Sequence, residues 1–397
     1  MRFDNVAIPV GLAWSSPFAK WQGTLSGVSS LDLAAVVTKK ALSDRGFSVE
    51  LLDGLVLGWT IPQLEAFYGA PTLAVRIGAD GLTGPMVSQA CATGVASLAA
   101  AAGQVTAGGG THLVITTDRT SNGPLLSYPN PTGMGGAPRT ETWVLDSFGR
   151  DPSTGKGMLV AGETVAARYG ITREECDDLT VLRSEQYQRS LADDRAFQRR
   201  YQVPVEILAK RGQGLLLEAD EGIRPAVAEE IAKLAPVDPN GVLTFASQTH
   251  PADGTAGAVV TTVERARELA GGSGIVRLLG VGFARVGKCH MPEAPVPAAL
   301  RALEAAGVTF DEVDAVNTHN PFAVNDLVFA RETGIALDRM NNYGSSLIFG
   351  HPQAPTGMRS IAELIEELRL RGGGLGLFTG CAAGDTAAAL VLRVEDS

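Results

Sequence analysis

Cysteine is scarce in this 397-residue chain: Cys91, Cys176, Cys289 and Cys381 are the whole complement. No CxxC pair occurs and the spacings match no metal-site pattern, so no metal centre is expected. Free thiols in a cytosolic setting are the simplest reading, which makes the expected localisation cytoplasmic. Basic residues are also in deficit, 33 Lys and Arg against 43 Asp and Glu, for a formal net charge of −10. A chain so charged has no global pull on nucleic acid or on an anionic membrane surface, and any anionic substrate must be caught by local groups. Long apolar runs are missing: none approaches the ~20 residues that span a bilayer. The opening stretch MRFDNVAIPVGLAW has no extended apolar core, so it reads as a strand and not as a signal peptide.

What the chain has in quantity is small apolar residues. It is 45% hydrophobic and rich in Gly and Ala, as suits a tightly packed α/β enzyme, and its length fits two similar halves. Residues 4–10 read as a strand, SSLDLAAVVTKKALSDRG (29–46) as a helix, and VELLDGLVLGWT (49–60) as a strand entering a loop. PTLAVRIGA reads as another strand. A turn at SQACATG leads into a helix through Gln104, and THLVITTDR is again a strand. This alternation argues for a layered sheet with helices on both faces. SNGPLLSYPNPTGMGGAPRT reads as a loop, and the charged helical block after it, with ITREECDD as a helix start, looks like an excursion from the core. AGAVVTTVERARE returns to strand and helix. IVRLLGVGFAR, VDAVNTHN, GGLGLFTGCAAG and TAAALVLRVE then supply strands, with PVPAALRALEAAG and NPFAVNDLVFARETG as helices. The same order in both halves suggests an internal duplication, and ligands in such sheets sit where strand ends of the halves meet.

Four stretches place useful side chains at strand or helix ends. Cys91 in SQACATG stands at the mouth of a helix, where a thiolate is favoured. NTHNPF carries His319 and Asn320, GHPQAPTG carries His351, and TGCAAGD carries Cys381 in a small-residue turn. Two thiols suit chemistry in which one is the nucleophile and the other moves a proton on carbon. Small neighbours let a thioester approach and leave backbone N–H groups free for an oxyanion. A free cysteine or lone histidine is ordinarily structural. That bland reading holds for Cys176, Cys289, His112 and His290, while His250 in SQTHPADG stays open because its loop could line a pocket.

Taken together, these stretches resemble the thiolase superfamily over nearly the whole chain. SSPFAKWQGTLSGVSSLDLAAVVTKKAL resembles the N-terminal segment, SQACATG the nucleophile motif, and MLVAGETVAARYGITREECDDLTVLRSEQ the helical loop-domain motif. THPADGTAGAVV resembles the return to the core, GHPQAPTGMR the Gly-His-Pro motif, and GCAAGD stands at the second cysteine turn. The resemblance implies duplicated βαβαβαββ halves in five layers, α-β-α-β-α, with an inserted loop domain. By position the N-terminal half would be 1–120 with 242–270, the loop domain 121–241 and the C-terminal half 271–397. It also implies roles. Cys91 would carry the acyl group, His351 would take its proton, and Cys381 would act as acid/base at the α-carbon. His319 stands where much of the family has an asparagine that helps hold a water and the thioester oxygen. The N–H groups of Cys91 and Ala383 would form an oxyanion hole. Arg224, Met158, Ser247 and Thr249 would contact coenzyme A, a co-substrate, and no bound cofactor is implied.

Several residues depart from the family pattern. Ala383 and Asp385 replace glycines and would put side chains close to the reaction, Ala354 replaces another, and Gly157-Met158-Leu159 lacks the loop-domain histidine. With the long loop from Ser127 to Lys156, these point to a specialised substrate. The resemblance further implies a homodimer or homotetramer, with the N-terminal sheets meeting. A small zinc-ribbon/OB-fold partner subunit serves some relatives whose motif, like this chain's HNPF, begins with histidine. Two rivals stand beside an active thiolase. A related condensing or retro-aldol enzyme is opposed by the second thiol. A silent acyl-CoA-binding subunit is opposed by the presence of Cys91 and His351.

Overall fold

The computed structural model describes residues 1–207 and 214–395; residues 208–213 of the expected loop domain and the last two residues lie outside the described residues. Two mixed sheets form the framework. The first runs in the order β2 (Ala13–Ser15), β11 (Ala252–Val260), β6 (His112–Arg119), β4 (Gly54–Gly58), β5 (Met86–Val87), with β3 (Ala19–Lys20) also on β11. The second runs β1 (Ala7–Pro9), β12 (Ile275–Arg285), β15 (Thr386–Glu395), β14 (Gly374–Ala382), β13 (Ala315–His319). From β2 to β4 the pairings are antiparallel, antiparallel, parallel, and from β12 to β13 the same sequence recurs. This shared pattern is the physical form of the duplication. The first strand crosses the expected division: β1 lies in the N-terminal segment yet pairs with β12 of the second sheet.

Two helices, Thr93–Thr106 and Ala354–Leu370, lie between the sheets, and their apolar side chains share one core cluster with residues of both sheets. Ala354–Leu368 is buried throughout, as a helix covered on all sides must be. Helices Ser30–Asp44 and Gly69–Ile77 cover the outer face of the first sheet, and Pro295–Ala306 covers that of the second, giving five layers. The central helices approach closely at Gly94, where a Cβ would lie 2.8 Å from the Met358 amide nitrogen and 3.3 Å from the Ala354 carbonyl oxygen.

Two local expectations are corrected. PTLAVRIGA is not a strand but most of helix Gly69–Ile77. Its buried residues Gly69, Ala70, Leu73, Ala74 and Ile77 recur at helical spacing, and Gly78 closes the helix at φ +85°. A nine-residue, largely apolar stretch is too short for periodicity alone to settle. The Pro- and Gly-rich stretch after Ser121 is not wholly loop: β7 (Leu125–Tyr128) and β8 (Arg139–Thr142) pair in it as an antiparallel hairpin. A second small pair, β9 (Val205–Ile207) with β10 (Leu215–Leu217), lies further along the excursion. Thr172 starts helix Arg173–Ser190 with a capping box to Glu175, as ITREECDD suggested.

Candidate active site

Cys91 sits in the short turn between β5 and helix Thr93–Thr106. Thr93 Oγ1 donates to the Ala90 carbonyl at 2.7 Å and accepts from the Gln89 amide at 2.8 Å, and Ala90 is driven to φ +45°. The sulfur is thereby presented to the ends of the other elements. His351 Nε2 is 3.0 Å from Cys91 Sγ, and its Nδ1 is 2.6 Å from Thr356 Oγ1, one helical turn into Ala354–Leu370. The His351 amide donates to the His250 carbonyl at 2.9 Å, so the undecided His250 loop braces the site. Gly350 permits that contact, because a Cβ there would meet His250 Nε2 at 2.8 Å.

His319, the last residue of β13, is buried with its ring centroid 4.2 Å from that of His351. Its Nδ1 is 2.7 Å from Ser346 Oγ, and its Nε2 has no partner among the described residues. Cys381, near the end of β14, is buried and receives a 3.2 Å hydrogen bond from Asn325 Nδ2. The structure thus brings Cys91, His319, His351 and Cys381 to one place from four segments. Asn320 does not join them, because its side chain is held by Asp326, Ser346 and the Leu347 amide.

The electrostatics follow from burial. It pushes the Cys91 thiol up to about 12, while the N–H groups of Ala383 and of Cys91 itself, both directed at the sulfur, pull the other way. Burial brings His319 down to about 3 and holds His351 well below the usual imidazole range, with the His319 charge adding to the latter. Cys381 is held well above the usual thiol range, first by burial and then by the Cys91 charge. The resting site is therefore neutral thiols facing neutral imidazoles.

Sequence reasoning missed several neighbours. Gln353, at φ +68°, puts its Oε1 3.3 Å from Cys91 Sγ. Asp118, fully buried, accepts from the Ala354 amide at 2.9 Å, from the Thr60 and Ile61 amides and from the Thr60 hydroxyl, and so ties the start of the Gly-His-Pro helix to the first sheet. Burial lifts its carboxyl to about 7 against those four bonds. A carboxylate closing the apolar run HLVITTD and a polar side chain inside GHPQAP were the available signals. The expectation that Asp385 stands close to the reaction is corrected: its carboxylate turns onto the Cys289 and His290 amides at 3.0 Å each.

The residues expected to meet coenzyme A are scattered in environment. Arg224 is exposed. Met158 opens helix Met158–Tyr169 and lines a small cavity with Cys289, Met291 and the Gly384–Asp385 turn. Ser247 is buried with its hydroxyl accepting from the Thr244 amide at 2.8 Å, and the Thr249 hydroxyl donates to the Ser346 carbonyl. Both hydroxyls are thus committed within the chain.

A layered α/β fold that sets a helix-mouth thiol against an imidazole, with a second thiol beside them, defines an acyl-transfer enzyme. The comparisons give the family. Residues 10–264 match the thiolase N-terminal domain and 274–394 the thiolase C-terminal domain. A 3-ketoacyl-CoA thiolase of Yersinia enterocolitica is 31% identical, over 99% of this chain and 97% of its own. An acetyl-CoA acetyltransferase of Syntrophomonas wolfei is 28% identical over 96% and 97%. Among solved structures, the Bacillus anthracis acetyl-CoA acetyltransferase superposes with a TM-score of 0.89 at 25% identity, covering 99% of each chain. Human mitochondrial 3-ketoacyl-CoA thiolase has the same fold, also at 0.89. The chain belongs to the thiolase family, an acyltransferase class of enzyme.

Proposed function

We propose that this thiolase cleaves a 3-oxoacyl-CoA with free coenzyme A, or runs the reverse Claisen condensation, through an acyl-Cys91 intermediate. The observation that carries the reading is the convergence of two thiols, one 3.0 Å from His351 Nε2 and the other held by Asn325. The Cys91 thiol gives its proton to His351 as the sulfur attacks the 3-oxo carbon. The N–H groups of Cys91 and Ala383 lie where they can hold the developing oxyanion. The C2–C3 bond breaks, and the enolate of the departing acyl-CoA takes a proton from Cys381. Coenzyme A then gives its proton to the Cys381 thiolate and attacks the acyl-Cys91 thioester, and Cys91 recovers its proton from His351. Asn325 Nδ2 supports the transient Cys381 thiolate. His319, with a hydroxyl at Nδ1 and an Nε2 that has no partner among the described residues, is placed to hold the thioester oxygen through a water that donates to both. Arg224 and Met158 are the coenzyme A contacts best exposed for that role.

The same reading includes a homodimer or homotetramer. β5 is the outer strand of the first sheet, with Met86 exposed beside Gly69 and the exposed Phe67 and Tyr68 next in sequence. A reducing, cytoplasmic setting suits the four free thiols, and a zinc-ribbon/OB-fold partner is tested by co-purification from the native source. Among the described residues no helix is long and apolar enough to cross a membrane. A panel of short, branched and aromatic 3-oxoacyl-CoA substrates with coenzyme A, followed by loss of the enolate absorbance, tests the function. Activity on one class, absent in Cys91→Ala, is expected; acetoacetyl-CoA as the fastest substrate would count against a specialised enzyme, and activity surviving in Cys91→Ala would remove the mechanism.

A further inference from the structure

Cys91, His319 and His351 are too far apart in the chain to form a local metal motif, yet the fold gathers them. Cys91 Sγ and one ring nitrogen from each histidine lie within 4.8 Å of one another. Each imidazole is fixed from behind: Ser346 Oγ stands 2.7 Å from His319 Nδ1, and Thr356 Oγ1 stands 2.6 Å from His351 Nδ1. Support of this kind on the remote nitrogen orients an imidazole as a ligand. Ser346 can donate to Asn320 Oδ1 at 3.2 Å while accepting from His319 Nδ1, which leaves the Nε2 lone pair of His319 free. That Nε2 is buried with no partner among the described residues, in a residue only 1% exposed. A buried polar atom left unmatched is destabilising, so it points to a ligand.

We propose that these three side chains form a binding site for a soft divalent cation, with Zn²⁺ as the representative, and that its occupancy blocks acyl transfer. A thiolate and two imidazoles are the donors that select such ions, whereas Mg²⁺ and Ca²⁺ prefer carboxylate and carbonyl oxygens, which this trio lacks. Three protein ligands leave a fourth position open, as in zinc sites that admit exchangeable ligands. With Zn–N of about 2.0–2.1 Å and Zn–S of about 2.3 Å, donor atoms in a tetrahedral site stand about 3.5 Å apart, a modest closure of the present spread. In the binding step Cys91–SH and M²⁺ give Cys91–S⁻–M²⁺ and a proton released to solvent; nothing is oxidised or reduced. The inhibitory consequence rests on the thiolase reading, because a metal on Cys91 Sγ excludes the acyl group; the binding site itself does not.

Cobalt tests the site without any assay of activity. The metal-free full chain is titrated with Co²⁺ while the near-ultraviolet thiolate-to-cobalt band and the visible bands of tetrahedral cobalt are followed. One equivalent is expected to develop both, and Zn²⁺ to displace it. Prior carbamidomethylation of Cys91 should abolish the spectrum, and His319→Asn should weaken binding at least about tenfold, in line with loss of a metal-site interaction. Cys289→Ser should leave the spectrum unchanged. No thiolate-to-cobalt band in folded wild type, or a band that survives carbamidomethylation or is unaltered in His319→Asn, would overturn the site. In the activity assay Zn²⁺ should compete with 3-oxoacyl-CoA and be reversed by a chelator. A cobalt spectrum in a chain inactive on every 3-oxoacyl-CoA would leave the site standing and remove the thiolase mechanism; activity without the spectrum would do the reverse.

Discussion

At rest the Cys91 sulfur faces two acceptors, His351 Nε2 at 3.0 Å and Gln353 Oε1 at 3.3 Å. With the thiol pushed up to about 12, the thiolate is a minor species at neutral pH. Carbamidomethylation by iodoacetamide should therefore rise about tenfold per pH unit from 7 to 9, tracking thiolate. A rate that levels off near pH 7 would instead reveal a resting thiolate–imidazolium pair. Gln353 is a positioning residue in this scheme: its carbonyl oxygen favours the protonated thiol, a bond the thiolate loses. Gln353→Met should then speed alkylation at fixed pH by about fivefold to tenfold, the equivalent of one hydrogen bond. Slower alkylation would show that the amide presents its NH₂ to the sulfur. At this scale the sequence marked Cys91, His351, His319 and Cys381 because each ends an element inside a compact motif. It could not mark Asn325, Thr356 or Ser346, whose importance comes from what they touch across 56, 5 and 27 residues of chain.

Among the elements, the crossing of the two central helices decides where Cys91 and His351 stand. Gly94→Ala would place a methyl 2.8 Å from the Met358 amide nitrogen, against backbone that cannot turn aside. Overpacking of this kind costs about 1–3 kcal/mol. A fall in denaturation midpoint of that size, with a fall in kcat larger than any rise in KM, is expected; full kcat with normal stability would show that the helices separate freely. Further along the second helix, Arg359 lies between the rings of Phe18 and Phe349 and grips buried Asp220 at 2.6 and 2.7 Å. Burial pushes Asp220 up, but Arg359 more than offsets it and holds the carboxyl below its usual range. Burial lifts Glu363, beside Arg359 and Tyr201, up to about 7. An unfolded glutamate titrates at about 4.3, so between there and 7 the native chain keeps a proton that the unfolded chain has lost. That contribution to stability fades as pH rises through the window. Glu363→Gln does not titrate, so its Tm relative to wild type should be more favourable at pH 8 than at pH 5. An equal difference at both pH values would remove the assignment. The helices were legible where amphipathic spacing ran long, as in Ser30–Asp44. Gly69–Ile77 was not, because so short and largely apolar a segment satisfies both periods and tertiary burial chooses between them.

Across the whole molecule, the sequence showed a charged helical block leaving the core, and nothing in it showed how that block is fastened back. One fastening is a buried ion pair between excursion and second half, beside the Arg359–Asp220 pair. Arg183, in helix Arg173–Ser190, binds Asp326 at 2.9 Å, with both side chains fully buried. Asp326 also accepts from Thr318 at 2.5 Å, from Asn320 at 2.7 Å and from Asn341 at 3.2 Å, and so holds the end of β13 from which His319 projects. Arg183 in turn donates to the Leu337 and Met340 carbonyls. Removing one partner of such a pair strands the other charge and costs about 3–5 kcal/mol. Arg183→Met is therefore expected to lower unfolding free energy by about that amount and to cut kcat through His319. Asp326→Asn should also be destabilising, because it strands the buried Arg183 guanidinium, which keeps only the neutral Gln186, Leu337 and Met340 oxygens as acceptors. The double variant should be destabilised by less than the sum of the singles, because the second change removes the charge that the first one stranded. Denaturant unfolding of the four proteins measures that coupling. Strict additivity would mean that this ion pair serves neither the fold nor the placement of His319.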